Sequence, residues 1–151
     1  MPTKPHDIRE CYQGLRNYIA TAPVRRLHEK WEKFFKRKPN GRYLQFCHSQ
    51  GAIHVRNALM IFSEVLCQQI HVVAIAPAAY IDKALCASVR HYVSERDFVP
   101  LLDWSGRKAC FDTITSLKPD KDASWFDHSF TSPTYTDVIR ENINKFTKEF
   151  G

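Results

Sequence analysis

Tyr43-Leu44-Gln45-Phe46-Cys47-His48-Ser49-Gln50-Gly51-Ala52 is an apolar strand that runs into a turn and then opens a helix. Downstream of the turn, Ala52, Val55, Ala58, Leu59, Phe62, Val65 and Leu66 fall at helical spacing, which predicts one helix over Ala52 to Gln68. A turn this sharp between strand and helix is strained, and the strain has a chemical use. It lifts the Ser49 hydroxyl above the strand end, and it turns the Gln50 amide, at the new helix N-terminus, toward any negative charge that develops there. Cys47 and Gly51, two residues to either side of Ser49, are small and leave room for strand and helix to approach. His48, beside Ser49, is expected to shape the adjoining pocket.

Outward from this turn the chain repeats the same grammar. His71 to Ala76 is a continuous apolar run rich in β-branched residues, as in a parallel strand covered on both faces, and Pro77 ends it. Ala78 to Leu85 reads as a short helix, 88–93 as a third strand, and 108–115, which alternates loosely, as a fourth. A polar loop from Lys118 to Ser124 leads to Trp125-Phe126-Asp127-His128, and the last helix runs from about Thr134 to Phe150. Upstream, 6–20 and 24–38 read as helices broken near Thr21-Ala22-Pro23, and Lys38-Pro39-Asn40-Gly41 is a stop-and-turn signal. The expected fold is α/β: a mostly parallel sheet flanked by helices, formed by residues 42–151 behind an N-terminal helical segment 1–41, as one domain. Right-handed crossovers put the carboxyl ends of the strands along one edge, and Ser49, Asp97 and the loop of His128 all belong there.

A serine hydroxyl is a poor nucleophile at neutral pH and needs a base within hydrogen-bond reach. Histidine suits that task, and a carboxylate holds its tautomer. Taken singly, Ser49 is as readily a helix N-cap, Asp97 a turn residue ahead of Val99-Pro100, and His128 a packed loop residue. Taken together, in the order Ser49, Asp97, His128, they make a catalytic set of nucleophile, acid and base, with Gln50 as oxyanion donor and His48 and Gly51 at the pocket. Asp103 and Asp112 are alternative acids. Asp127 adjoins His128, and adjacent side chains rarely make the orienting contact.

These residues resemble the C-terminal half of an α/β-hydrolase of the lipase/esterase type. Phe46-Cys47-His48-Ser49-Gln50-Gly51-Ala52 is similar to the serine turn of that family, Ser94-Glu95-Arg96-Asp97-Phe98-Val99-Pro100 to its acid loop, and Asp127-His128-Ser129-Phe130 to the loop that delivers the base. The chain also resembles chlamydial proteins of unknown function that carry a hydrolase-like C-terminal region. The likeness covers roughly residues 42–150. It implies hydrolysis of a small-molecule ester through an acyl-serine, with no cofactor and no metal. It also implies departures. The first forty residues look helical, so the family's earlier strands are missing, and no position matches its second oxyanion donor. The strand ending at Cys47 then lies at an exposed sheet edge, which invites pairing with a partner chain or a second copy. Three forms remain open: a minimal hydrolase whose N-terminal helices cover that edge, a truncated domain inactive alone, and a module that binds an anionic surface.

Composition narrows the classes. At 151 residues, 44% hydrophobic and 25% charged, the chain has the make-up of an ordinary globular domain with a real core. No apolar run approaches the roughly 20 residues of a membrane-spanning helix, and the N-terminus has no apolar signal core, so a cytoplasmic location is expected. Five cysteines, widely spaced and without C-x-x-C pairs, argue against a zinc site or a disulfide framework. The net charge of +6 is concentrated between Arg25 and Arg42, interleaved with Leu27, Trp31, Phe34 and Phe35 at helical spacing. With Glu29 and Glu32 among the cations, this reads as the solvated face of a packed helix and not as a nucleic-acid surface.

Overall fold

The computed structural model describes residues 20–151. Helix α1 (Ala22–Arg37), with Pro23 in its first turn, precedes strand β1 (Tyr43–His48) and helix α2 (Gly51–Met60). A single turn, α3 (Glu64–Cys67), leads to β2 (Ile70–Ile75) and then β3 (Ser88–Ser94). Helix α4 (Trp104–Ala109), strand β4 (Ile114–Leu117) and the long α5 (Pro133–Phe150) complete the chain. The helix expected over 6–20 lies, but for Ala20, outside the described residues.

The four strands form one sheet in the order β1-β2-β3-β4, every pair parallel. The protein is therefore of the α/β class. Because strand side chains alternate, β2 feeds two cores, which is why its sequence is apolar from Val72 to Ile75. Val72 and Ala74 pack beneath α1 and α2 with Trp31, Phe35, Val55 and Leu59. Val73 and Ile75 pack on the other face with Tyr92 and Tyr135, closed by Val138 and Ile139 of α5. Residues of α1 thus share a core with the sheet.

Several elements differ from the sequence expectation for local reasons. The helical stripe from Ala52 to Gln68 is divided: α2 ends at Met60, and the Ser63 hydroxyl accepts from Leu66 N (3.4 Å) to start α3. Only Lys83–Leu85 of the helix expected over 78–85 forms, as a 3-10 turn capped by Asp82, whose carboxylate accepts from Ala84 N at 2.8 Å. The strand expected over 108–115 shrinks to β4, because Asp103 caps the Gly106 amide (3.0 Å) and draws 104–109 into α4. A Cβ at Gly106 would stand 2.1 Å from the Asp103 carboxylate, so a larger residue there would make that side chain shift. His91 lies within β3, paired with Ala74 and Ile114.

Strand β1 is an edge of the sheet, as expected. Trp31 Nε1 of α1 donates to Gln45 Oε1 of β1 (3.1 Å), and among the described residues a groove of about 260 Å³ lies beside β1, lined by Leu27, Phe46 and Val55 with Arg26 and Lys30.

Candidate active site

The carboxyl ends of β1 and β3 and the loop before α5 bring three side chains together. Ser49 sits between β1 and α2 with φ 53°, a left-handed conformation that costs a non-glycine residue energy and must be imposed by its surroundings. The backbone around it does so. Ser49 N donates to Ile75 O (3.2 Å) at the end of β2, while Ser49 O accepts from Ala52 N (3.1 Å) and Ala78 N (3.0 Å). The loop after β2 therefore braces the turn from one side and α2 from the other. Ala76 in that loop is also left-handed, with φ 47°.

His128 Nδ1 lies 2.7 Å from Asp97 Oδ2, and His128 Nε2 lies 2.8 Å from Ser49 Oγ. A carboxylate can only accept, so Nδ1 carries the ring proton and donates to Asp97. In the neutral ring Nε2 is then a bare acceptor, and the Ser49 hydroxyl donates to it. The Asp97 side chain is fully buried and that of His128 one-fifth exposed, which puts the acid in a low-dielectric setting and leaves the base reachable. Asp97 Oδ1 also accepts from Val99 N (3.0 Å), so the carboxylate serves its turn as well as the imidazole. Ser49 does not cap α2; the N-cap is Gln50, without a side-chain cap.

Gln50 N donates no hydrogen bond among the described residues and stands at the N-terminus of α2, where it is free to face an anion. His48 Nε2 donates to the carbonyl oxygen of His128 (2.6 Å), and its ring centroid lies 4.9 Å from that of His128. Phe126 stacks on His128 at 5.7 Å and on Phe98 at 6.2 Å. Phe98, Phe126 and Phe130 are exposed, giving the site an apolar rim.

Gly51 is at its expected place but is not needed for close approach: a Cβ there would meet only Cys47 Cβ at 3.8 Å, ordinary contact. The alternative acids are engaged elsewhere. Asp103 caps α4 and accepts from Tyr80 N (2.9 Å), and Asp112 pairs with Lys83 at the surface. Cys47, Cys67, Cys86 and Cys110 are buried free thiols; burial pushes Cys47 and Cys86 up to about 12. Among the described residues no His, Cys, Asp and Glu cluster could hold a metal ion, and no helix is long and apolar enough to cross a membrane.

Sequence reasoning passed over Asp127, which is 1% exposed and accepts from Ser94 Oγ (2.7 Å), Thr134 Oγ1 (2.5 Å) and Ser132 Oγ. Burial pushes its carboxyl up, but those three hydroxyls and the nearby Arg96 charge outweigh it and hold it below the usual carboxylate range. The available signal was an aspartate followed at five and seven residues by hydroxyls at a helix start.

No curated protein and no solved structure matches the chain. Residues 14–147 match a family described as protein of unknown function (DUF687). A match over nearly the whole chain, across every strand and the loops that carry Ser49, Asp97 and His128, means that the chain belongs to the DUF687 family.

Proposed function

We propose that this chain is a serine hydrolase of the α/β-hydrolase type, acting on small esters through an acyl-serine. The observation that carries this reading is the unbroken chain Ser49–His128–Asp97, with Ser49 held at a strained turn. As Ser49 Oγ attacks the ester carbonyl carbon, its proton passes to His128 Nε2. Asp97 accepts from Nδ1–H and stabilises the imidazolium. The Gln50 amide is aimed at the oxyanion. Collapse breaks the bond from the carbonyl carbon to the alcohol oxygen, and the leaving alcohol takes the proton from Nε2. Water, deprotonated by the same nitrogen, then attacks the acyl-serine, and Ser49 Oγ leaves with that proton as the acid is released. The exposed rings of Phe98, Phe126 and Phe130 favour an apolar acyl or alcohol part.

Labelling with a fluorophosphonate tests the reading, since this probe reports an activated serine whatever the natural ester is. The full chain is expected to label, and Ser49→Ala and His128→Ala, with unchanged circular dichroism, to lose the label. Absence of labelling in the folded wild-type chain refutes activity. It would favour a second reading, an interaction module, for which the outer edge of β1, unpaired among the described residues, and the adjoining cations Arg26 and Lys30 are the supporting observations. In that case salt-sensitive binding to an anionic surface should survive Ser49→Ala and fall when Arg25, Arg26, Lys33 and Lys36 are neutralised.

A further inference from the structure

We propose that Asp127 is a positioning residue that locks the acid-bearing and base-bearing loops to each other. The inference rests on the hydrolase reading above for its chemical meaning but on separate contacts for its geometry. Asp97 and His128 are 31 residues apart and come from different loops, so their 2.7 Å contact requires that the two loops be registered. Asp127 is the point where they are joined. Its Oδ2 accepts from Ser94 Oγ at 2.7 Å, and Ser94 closes β3 immediately before the acid loop. The same oxygen accepts from Thr134 Oγ1 at 2.5 Å, and Oδ1 accepts from Ser132 Oγ, both at the start of α5. The main chain repeats the link: Asp127 N donates to Arg96 O (3.4 Å), one residue before Asp97.

Each of the three hydroxyls also accepts a backbone amide, so the carboxylate orders main chain as well as side chains. Ser94 Oγ accepts from Arg96 N (3.3 Å), Ser132 Oγ from Thr134 N (3.3 Å), and Thr134 Oγ1 from Asp120 N (3.0 Å). A hydroxyl that accepts an N–H while donating to a carboxylate is polarised in one direction along the chain of bonds. Three donors converge on one buried group, which fits an ionised carboxylate and fits neither a neutral acid nor an amide, each of which must place donors of its own. Tyr135 closes the cluster: its hydroxyl accepts from Ser94 N (3.1 Å) and donates to Asp127 O (3.4 Å). The side-chain hydrogen bonds of Asp127 go to Ser94, Ser132 and Thr134 and not to Ser49, His128 or Asp97, so it is not one of the reacting groups. Its effect on chemistry runs through where His128 and Asp97 are held.

The test compares full-length wild type with Asp127→Asn, Thr134→Ala and Ser94→Ala, and with Asp97→Asn as a control. Two readouts are taken per folded molecule: the fluorophosphonate labelling rate, and the far-downfield proton resonance of His128 Nδ1–H, which reports its bond to Asp97. Misplacing reacting groups by about 1 Å can cost on the order of 10²-fold. Asp127→Asn is therefore expected to slow labelling by about that factor and to shift or broaden the downfield resonance, while circular dichroism keeps its native form. Should Asp127→Asn not fold, the single-hydroxyl variants carry the test, each with a smaller loss in rate and a displaced resonance. A purely structural role would lower the melting temperature and leave both readouts of the folded molecules unchanged, which overturns the proposal. If the wild type shows the resonance but does not label, the hydrolase reading fails. The positioning role is then decided by whether the resonance moves in Asp127→Asn.

Discussion

At the scale of single residues, identity and role separate cleanly at the Ser49 turn. Ser49 itself is held at φ 53° by three backbone groups, of Ile75, Ala78 and Ala52, two of them from β2 and the loop after it and one from α2. Gly51 illustrates the opposite case. It was expected to be small so that strand and helix could approach, yet the nearest atom to an added Cβ is Cys47 Cβ at 3.8 Å, and its φ is not positive. Gly51→Ala is therefore expected to leave the turn intact and to raise stability by about 0.5–1 kcal/mol, because alanine loses less backbone entropy in a helical turn. Thermal melts beside fluorophosphonate labelling check this; a destabilised or unlabelled variant would mean that the approach is tighter than 3.8 Å. Asp127 teaches a further point. Its neighbour in sequence is the base, and yet its partners are at residues 94, 132 and 134. Sequence adjacency drew attention to the contact it does not make and hid the three that it does.

Among the elements, α1 carries more of the fold than its basic composition suggests. Trp31 is fully buried, sits edge-on to Phe62 with ring centroids 5.3 Å apart, and donates to Gln45 of β1. It ties the core under α2 to the edge strand that leads to Ser49. Trp31→Ala is expected to cost about 3–5 kcal/mol, from the cavity and the lost transfer free energy together. Denaturant unfolding measures it directly; a loss under 1 kcal/mol would place α1 outside the cooperative unit. The amphipathic pattern of this helix was legible in sequence because burial follows the 3.6-residue period. The division of the next helix at Ser63, and the capture of 104–109 by Asp103, were not. In both, one polar side chain capping one amide overrode a pattern summed over many residues, and caps leave little mark on periodicity.

The whole molecule is expected to respond to acid through a buried histidine. His91 is fully buried, accepts from Ile81 N at Nε2 (3.0 Å), and so donates from Nδ1 to Thr113 Oγ1 (2.8 Å). Burial lowers its pKa to about 4, against 6.5 for the free ring, and the bond to Thr113 offsets this only in part. Below 6.5 the unfolded chain takes up a proton that the folded one refuses. Stability is therefore fully present above pH 6.5 and falls as pH drops toward 4, by roughly 3 kcal/mol in all. Asp127, held below its usual range, adds a loss at lower pH, as its carboxylate is finally protonated. Unfolding curves from pH 7 to 4 should show the first slope, and His91→Gln should flatten it; an unchanged slope would assign it to other groups. By itself, the sequence determined the α/β class, the succession of four strands, and the candidacy of Ser49, Asp97 and His128, because these rest on local periodicity and turn chemistry that each segment carries alone. The tertiary structure alone decided the distances of 2.7 and 2.8 Å that join those three, and the cluster at Asp127. Contacts between residues 31 and 79 positions apart are set by how the sheet stacks its strand ends, and no window along the chain contains both partners.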